Sequence, residues 1–253
     1  MSFLDNLKLP ERAEAILLDK DGTIIDVHHY WIGMSIYRIE ALIQELGIEG
    51  DSAESALKML KYKFGIDPVN YKISKDGPAG VKPRDYMINL TERTLKELNL
   101  TMSQKKINNI FNDVDISSKK EIKNLLKLLP GVEEFVKNVH ETGIDLNLLS
   151  NDITSRSELA LETLGLLDKF RYIYGQDAVD NAKPSKDLAS LVIKEGSYEI
   201  NNLVNIGDHP NDMRMGLNAG IKKNYAVLTG LNALDDFKDV ACYCFQDFNH
   251  ITI

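Results

Sequence analysis

The chain has 253 residues, a formal net charge of −8 and 43% apolar residues, enough for one large domain or two small ones around a sizeable core. An acidic surface repels nucleic-acid phosphates and anionic membranes, so neither is an expected partner. No apolar run is long enough to span a bilayer, and residues 1–12 lack a basic-then-apolar signal pattern.

In chain order, Ala15-Ile16-Leu17-Leu18 is a short apolar run that reads as a buried strand. It runs into Asp19-Lys20-Asp21, and Gly22 marks a turn. From Ile32 to Leu46 the apolar positions Ile36, Ile39, Ile43 and Leu46 recur at helical spacing before a stop at Gly47. Helices are also expected over 52–64, 86–98, 103–113 and 117–129, with the Gly- and Pro-containing stretch 72–85 as a loop. Residues 26–128 therefore read as a helical insert with no convincing strand. Pro130-Gly131 opens a second α/β stretch. It has helices over 132–142, 156–165, 185–195 and 212–219, and strands over 145–149, 170–174, 203–206, 225–228 and 241–245. Ser155 and Glu158 fit a capping box for the second of these helices. Alternation of strands and helices implies a doubly wound parallel, Rossmann-like α/β sheet. The expected core domain is 1–25 with 129–253, interrupted by an α-helical domain at 26–128. Cys242 and Cys244 are too close to close a useful loop and read as packing residues of a reduced, cytoplasmic protein.

Polar residues gather at the ends of the apolar runs. Asp19 and Asp21 follow the first strand, Ser150-Asn151 the second, and Gly207-Asp208 another, with Lys183-Pro184 in a connecting loop and Asp212 at the next helix start. Parallel strands put most of these on one sheet edge, where ligands bind in open α/β sheets. Side chains two apart on an extended chain share a face, so Asp19 and Asp21 would crowd unless a cation or shared proton relieves them. A set rich in carboxylates and free of sulfur suits Mg²⁺ better than Zn²⁺.

In this order these motifs resemble those of the haloacid dehalogenase superfamily. Asp19-Lys20-Asp21-Gly22-Thr23 is similar to its first motif, Leu148-Leu149-Ser150-Asn151 to the second, Lys183-Pro184 to the third, and Gly207-Asp208-His209-Pro210-Asn211-Asp212 to the fourth. The helical insert is similar to the family's α-helical cap, in a pattern like that of phosphoglycolate phosphatases and β-phosphoglucomutases. The resemblance implies a Mg²⁺-dependent phosphatase acting on a small phosphorylated metabolite. Asp19 would be the nucleophile and Asp21 the proton donor and acceptor. Ser150, Asn151 and Lys183 would bind phosphate. The metal would sit on Asp19, the main-chain carbonyl of Asp21 and Asp208, supported by Asp212. A phosphomutase, or a binding protein with vestigial activity on the same scaffold, are the alternatives. His28, Trp31 and Arg84 are candidates for substrate specificity, and Lys82 with Arg84 for a second anionic group. The bland readings are a core anchor for Trp31, a wet hinge for the histidines and a solvated loop for the basic pair.

Overall fold

The structure is a computed structural model and describes residues 2–118 and 120–253. Contacts divide it into two compact units, Met1–Val27 with Leu126–Ile253, and His28–Leu125.

The first unit opens with the short strands β1 (Ser2–Phe3), β2 (Leu7–Lys8) and β3 (Ala15–Leu18). The second comprises α1 (Val27–Leu46), α2 (Gly50–Lys63), the pair β4 (Ile66–Asp67) and β5 (Lys72–Ile73), α3 (Arg84–Glu97), α4 (Gln104–Ser117) and α5 (Ile122–Leu125). The chain then returns through α6 (Val132–Thr142), β6 (Asp145–Leu149), α7 (Thr154–Thr163), β7 (Phe170–Tyr174), α8 (Asp187–Gly196), β8 (Leu203–Gly207), α9 (Pro210–Asn218), β9 (Lys223–Val227), β10 (Tyr243–Phe245) and β11 (Ile251–Thr252).

Seven strands form one sheet in the order β1-β10-β9-β8-β3-β6-β7, and every neighbouring pair is parallel. Inside the sheet β3 lies between β8 and β6, and its four side chains are all fully buried. Burying an Ile or Leu of this kind contributes about 1.5–3 kcal/mol. The two faces alternate along each strand. Ile16 and Leu18 join Leu146, Leu148, Val204 and Ile206 on one side. Ala15 and Leu17 join Leu188, Val192 and Met215 on the other. Helices therefore cover both faces, and the doubly wound parallel architecture expected from the alternation is the one observed.

Four local expectations change. The first helix starts at Val27 rather than Ile32, so His28–Trp31 are helical. Residues 117–129 do not form one helix: α4 stops at Ser117 and a single turn follows at Ile122–Leu125. Lys119, inside that expected helix, lies outside the described residues. The Ser117 and Ser118 hydroxyls donate back to the Val114 and Asp115 carbonyls, and such local bonds compete with helix continuation. The insert also holds a two-residue antiparallel pairing, Ile66 with Ile73 and Asp67 with Lys72. Finally, α7 is not capped by Ser155. Its amide Thr154 N donates to the distant Asp177 carboxylate at 2.7 Å, a cap supplied by tertiary structure.

Candidate active site

The register of the sheet positions the polar residues. Leu18 pairs with Leu148 on one side and Ile206 on the other, so β3, β6 and β8 end at the same level. Asp19, Ser150 and Asp208 leave the sheet there, on its C-terminal edge. The Asp19 amide still donates to Ile206 O at 3.0 Å, and Ser150 N to Tyr174 O at 2.9 Å. The backbone is thus pinned up to the point where the functional side chains begin.

Lys183 enters this edge from the loop after β7. Asn151 Oδ1 accepts from Lys183 N at 3.0 Å, and Asn151 Nδ2 donates to Lys183 O at 3.5 Å. The Asn151 amide, expected on phosphate, is engaged by the loop that carries the lysine. The Lys183–Pro184 bond is cis. From this position Lys183 Nζ donates to Asp19 Oδ1 at 2.6 Å and Asp212 Oδ1 at 2.9 Å. Asp212 is at once part of a capping box: its Oδ2 accepts from His209 N at 2.9 Å, while Asn211 N donates to His209 Nδ1 at 3.0 Å. His209, a residue without an assigned role in the sequence, is therefore the N-cap of α9. An anionic side chain in a first helical turn is stabilising in its own right.

Asp208 is buried. Thr23 Oγ1 donates to its Oδ1 at 3.2 Å and Asn232 Nδ2 to its carbonyl at 3.3 Å. Gly22 and Gly230 close around it, and a Cβ at either position would overlap its carboxylate. These close approaches explain why both positions lack a side chain. Carboxylate oxygens of Asp19, Asp208 and Asp212 lie within 4.8 Å of one another. Three carboxylates face one lysine, so the cluster carries excess negative charge. Burial pushes Asp19 up to about 7, against the pull of Lys183 and with Asp212 adding to the rise. Burial and Asp19 likewise hold Asp208 well above the ordinary carboxylate value. Such a buried, all-oxygen cluster fits a hard divalent cation, which would relieve the repulsion that raises these groups.

Asp21 has a different environment. The strand ends at Leu18, so the shared-face argument for Asp19 and Asp21 does not extend to them. Instead Lys20, buried between the two, places its Nζ 3.3 Å from Asp21 Oδ2 and 2.7 Å from Asp152 Oδ2. Desolvation and Asp152 raise the Asp21 pKa against Lys20. Its side chain keeps 42% of its surface exposed, so solvent screening trims that effect. Ser150 is buried, and its Oγ accepts from Asp152 N at 3.0 Å, an arrangement that leaves its own proton to donate. Lys20 and Thr23 stand in the first motif but carried no role in the sequence, and Asp152 and the Thr229–Asn232 loop were not singled out. A lysine set between two aspartates at the end of an apolar run was the available signal.

The specificity candidates belong to the helical unit. His28 Nδ1 accepts from Ile73 N at 3.1 Å, and His29 Nε2 lies 2.9 Å from Asn124 O. Both tie α1 to other parts of its own unit. Trp31 and Arg84 come together at a cavity with Arg38 and Lys82.

A family model described as haloacid dehalogenase-like hydrolase matches residues 66–226. The chain belongs to this family. The matched stretch holds Ser150, Lys183, Asp208 and Asp212, and stops short of Asp19 and Asp21. The hydrolase is 30% identical over 98 residues to the pyrophosphatase PpaX of Halalkalibacterium halodurans, a match covering 39% of this chain and 46% of that protein. It is 21% identical over 222 residues to a phosphoglycolate phosphatase of Pseudomonas fluorescens, covering 88% and 72% respectively. The match thus spans less than half of the pyrophosphatase and about three quarters of the phosphatase. A solved structure from Thermotoga maritima, provisionally described as a beta-phosphoglucomutase, superposes with a TM-score of 0.67 at 19% identity over 94% of this chain and 96% of that one. At that identity the likeness shows the fold. No helix among the described residues is long and apolar enough to cross a membrane.

Proposed function

We propose that this hydrolase is a Mg²⁺-dependent phosphatase of small phosphomonoesters. The observation that carries the reading is Lys183 Nζ bridging Asp19 and Asp212 beside buried Asp208, at the ends of three parallel strands. Asp19, free of helix or sheet duties in its side chain, attacks phosphorus to form an aspartyl-phosphate as the ester P–O bond breaks. Asp21 protonates the departing alkoxide. Its raised pKa favours the protonated form that this step needs, and it takes the proton back from the water that hydrolyses the intermediate. Lys183 offsets charge on Asp19 and the transferring group, and Ser150 donates its hydroxyl proton to a phosphate oxygen. Asn151 positions Lys183 through its backbone. Asp19, Asp208 and the main-chain carbonyl of Asp21, with Asp212 adjoining, would hold a magnesium ion, whose chemistry there is neutralisation of phosphoryl charge. The helical unit serves as the substrate-selecting cap.

Phosphate released from a panel of phosphorylated metabolites with Mg²⁺ tests this. Asp19→Asn is expected to cut turnover about a thousandfold or more, ~4 kcal/mol of transition-state stabilisation. A variant that turns over like the parent, or a parent that releases no phosphate from any ester, overturns the reading. Isomerised sugar phosphate with little free phosphate would mark a mutase instead.

A further inference from the structure

Lys20 stands between the nucleophile and the acid of this reading, and its side chain has been drawn into the protein. The residue is only 5% exposed, and an ammonium withdrawn from water needs charged partners to offset its lost hydration. Two carboxylates supply them. Lys20 Nζ donates to Asp152 Oδ2 at 2.7 Å and lies 3.3 Å from Asp21 Oδ2. The two partners are held unequally. Asp152 is fixed from several directions. Its amide donates to Ser150 Oγ at 3.0 Å, and its carbonyl accepts from Gln176 N at 2.9 Å. Its Oδ1 accepts from Ile153 N at 2.8 Å and from Arg156 Nη1 at 3.3 Å. Gly175 packs against the same segment so closely that a Cβ there would lie 2.3 Å from Asp152 O. The Lys20 backbone is fixed too, its carbonyl accepting from Ile24 N at 2.9 Å and Ile25 N at 3.0 Å. Asp21 is the freer end of this chain of contacts, since its side chain keeps much of its surface in solvent.

We propose that Lys20 is a positioning residue, braced by Asp152, that fixes which oxygen of Asp21 carries the transferable proton. The inference rests on the phosphatase reading and deepens it. A lysine ammonium has three donors and no acceptor, so the carboxyl oxygen facing it must present lone pairs. That oxygen is Oδ2, and the proton of the neutral acid therefore resides on Oδ1. The same contact ties the rotation of the Asp21 carboxyl to the rigid Asp152. In the first step an Asp19 oxygen bonds to phosphorus and the ester P–O bond breaks. The electron pair of that bond goes to the departing oxygen, which takes the proton from Asp21 Oδ1. Asp21 is left as a carboxylate whose charge Lys20 balances, and Oδ1 regains a proton from the water that attacks the intermediate. An acid must meet the accepting oxygen at about 2.6–3.2 Å, a tolerance that a freely turning carboxyl would often miss. Asp152 also sets Ser150, because its amide occupies an Oγ lone pair and leaves the hydroxyl proton to donate. One anchored carboxylate thus orients both the acid and a phosphate contact.

A good leaving group departs without a proton, so aryl phosphates of similar size separate positioning of the acid from a structural role. Phosphate release with Mg²⁺ is measured for 4-nitrophenyl, phenyl and 4-methoxyphenyl phosphate, whose departing oxygens grow more basic in that order. Lys20→Met keeps the side-chain length and removes the charge. Its loss in kcat/KM should be smallest for the 4-nitrophenyl ester and about tenfold larger for the 4-methoxyphenyl ester. Asp152→Asn keeps the amide that meets Ser150 and should show the same trend more weakly. It carries the test if a melting curve shows that Lys20→Met does not fold. A residue that acts through Asp21 also loses its effect once Asp21 cannot donate. Lys20→Met added to Asp21→Asn should therefore change kcat/KM for the most readily hydrolysed metabolite ester by less than about threefold, whereas independent effects would multiply. An equal loss across the aryl series, no loss in either variant, or full multiplication in the double variant overturns the inference. Lys20 is then a structural ion pair, and the phosphatase reading stands. A parent that releases no phosphate from any ester overturns that reading, and the inference falls with it.

Discussion

Asp212 divides its two oxygens between two tasks: Oδ1 accepts from Lys183 and Oδ2 from the His209 amide. Removing the side chain takes away both. Loss of an N-terminal capping acceptor costs about 1 kcal/mol, and weakening the pairing of a buried ammonium adds about 1–3 kcal/mol. Asp212→Asn separates the tasks, because an amide oxygen still accepts from His209 while the negative charge toward Lys183 is gone. Asp212→Asn should therefore recover about 1 kcal/mol of stability relative to Asp212→Ala in thermal melts. Both variants should release phosphate at least tenfold more slowly than the parent, about 1.4 kcal/mol or more in transition-state stabilisation. An asparagine variant with full activity would show that the carboxylate acts only as a cap. The sequence placed this residue at a helix start and in support of the metal, and its two oxygens serve the helix start and Lys183 at once. Asn151 is the opposite case. Its type and place suggested phosphate, but which atoms an amide faces depends on the fold of a loop 32 residues away.

The pairing of β8, α9 and β9 carries Asp208 and Asp212 to the site, and a buried amide network fixes it. Asn205 on β8 donates from Nδ2 to Asp212 O at 3.0 Å and to Asn224 Oδ1 at 2.9 Å, while Asn224 Nδ2 donates to Ile221 O at 2.6 Å. Both asparagines are buried, in strands where an apolar residue would otherwise be expected. Asn205→Ala orphans the Asn224 and Asp212 acceptors and leaves a cavity, so a loss of about 2–4 kcal/mol is expected in denaturant unfolding. An unchanged unfolding midpoint would mean that the network contributes nothing. At this scale most of the molecule was legible. The runs Ala15–Leu18, Asp145–Leu149 and Phe170–Tyr174 form strands over the expected residues. The first is buried throughout and reads as a continuous apolar stretch, while the edge strand Phe170–Tyr174 is only partly buried and is marked by its aromatic and β-branched residues. The edge strand Ser2–Phe3 and the pair Leu7 with Ile251 were not legible. Two-residue pairings are defined by their neighbours and leave no periodicity of their own. The Asp177 cap of α7 was hidden for the same reason, since its acceptor sits 23 residues downstream of Thr154.

For the whole molecule, the acidic cluster links stability to pH and to metal. In the metal-free chain Asp19 is raised from 3.8 to about 7 by burial first, with Asp212 adding and Lys183 opposing, and Asp208 is raised well above its ordinary value. A carboxyl raised on folding binds more protons in the native than in the unfolded state between its two pKa values. The slope of unfolding free energy against pH is then negative. The metal-free protein should therefore lose stability as pH rises from about 4 to about 7, by an amount of the order of a few kcal/mol. A divalent cation binds the ionised carboxylates and competes with those protons, so its stabilisation grows as they deprotonate. At a free concentration near 100 times its dissociation constant it would contribute about 2.7 kcal/mol. Melting curves at about pH 5 and pH 8, with and without Mg²⁺, measure this linkage. The midpoint should rise with Mg²⁺ by several degrees at the higher pH and by clearly less at the lower. Asp208→Asn removes one ligand and one repelling charge, so it should flatten both the pH dependence of the metal-free protein and the response to Mg²⁺. Equal shifts at both pH values, or none at either, would mean that the cluster is balanced by Lys183 and its hydrogen bonds alone. Stability and metal occupancy would then be uncoupled in this hydrolase.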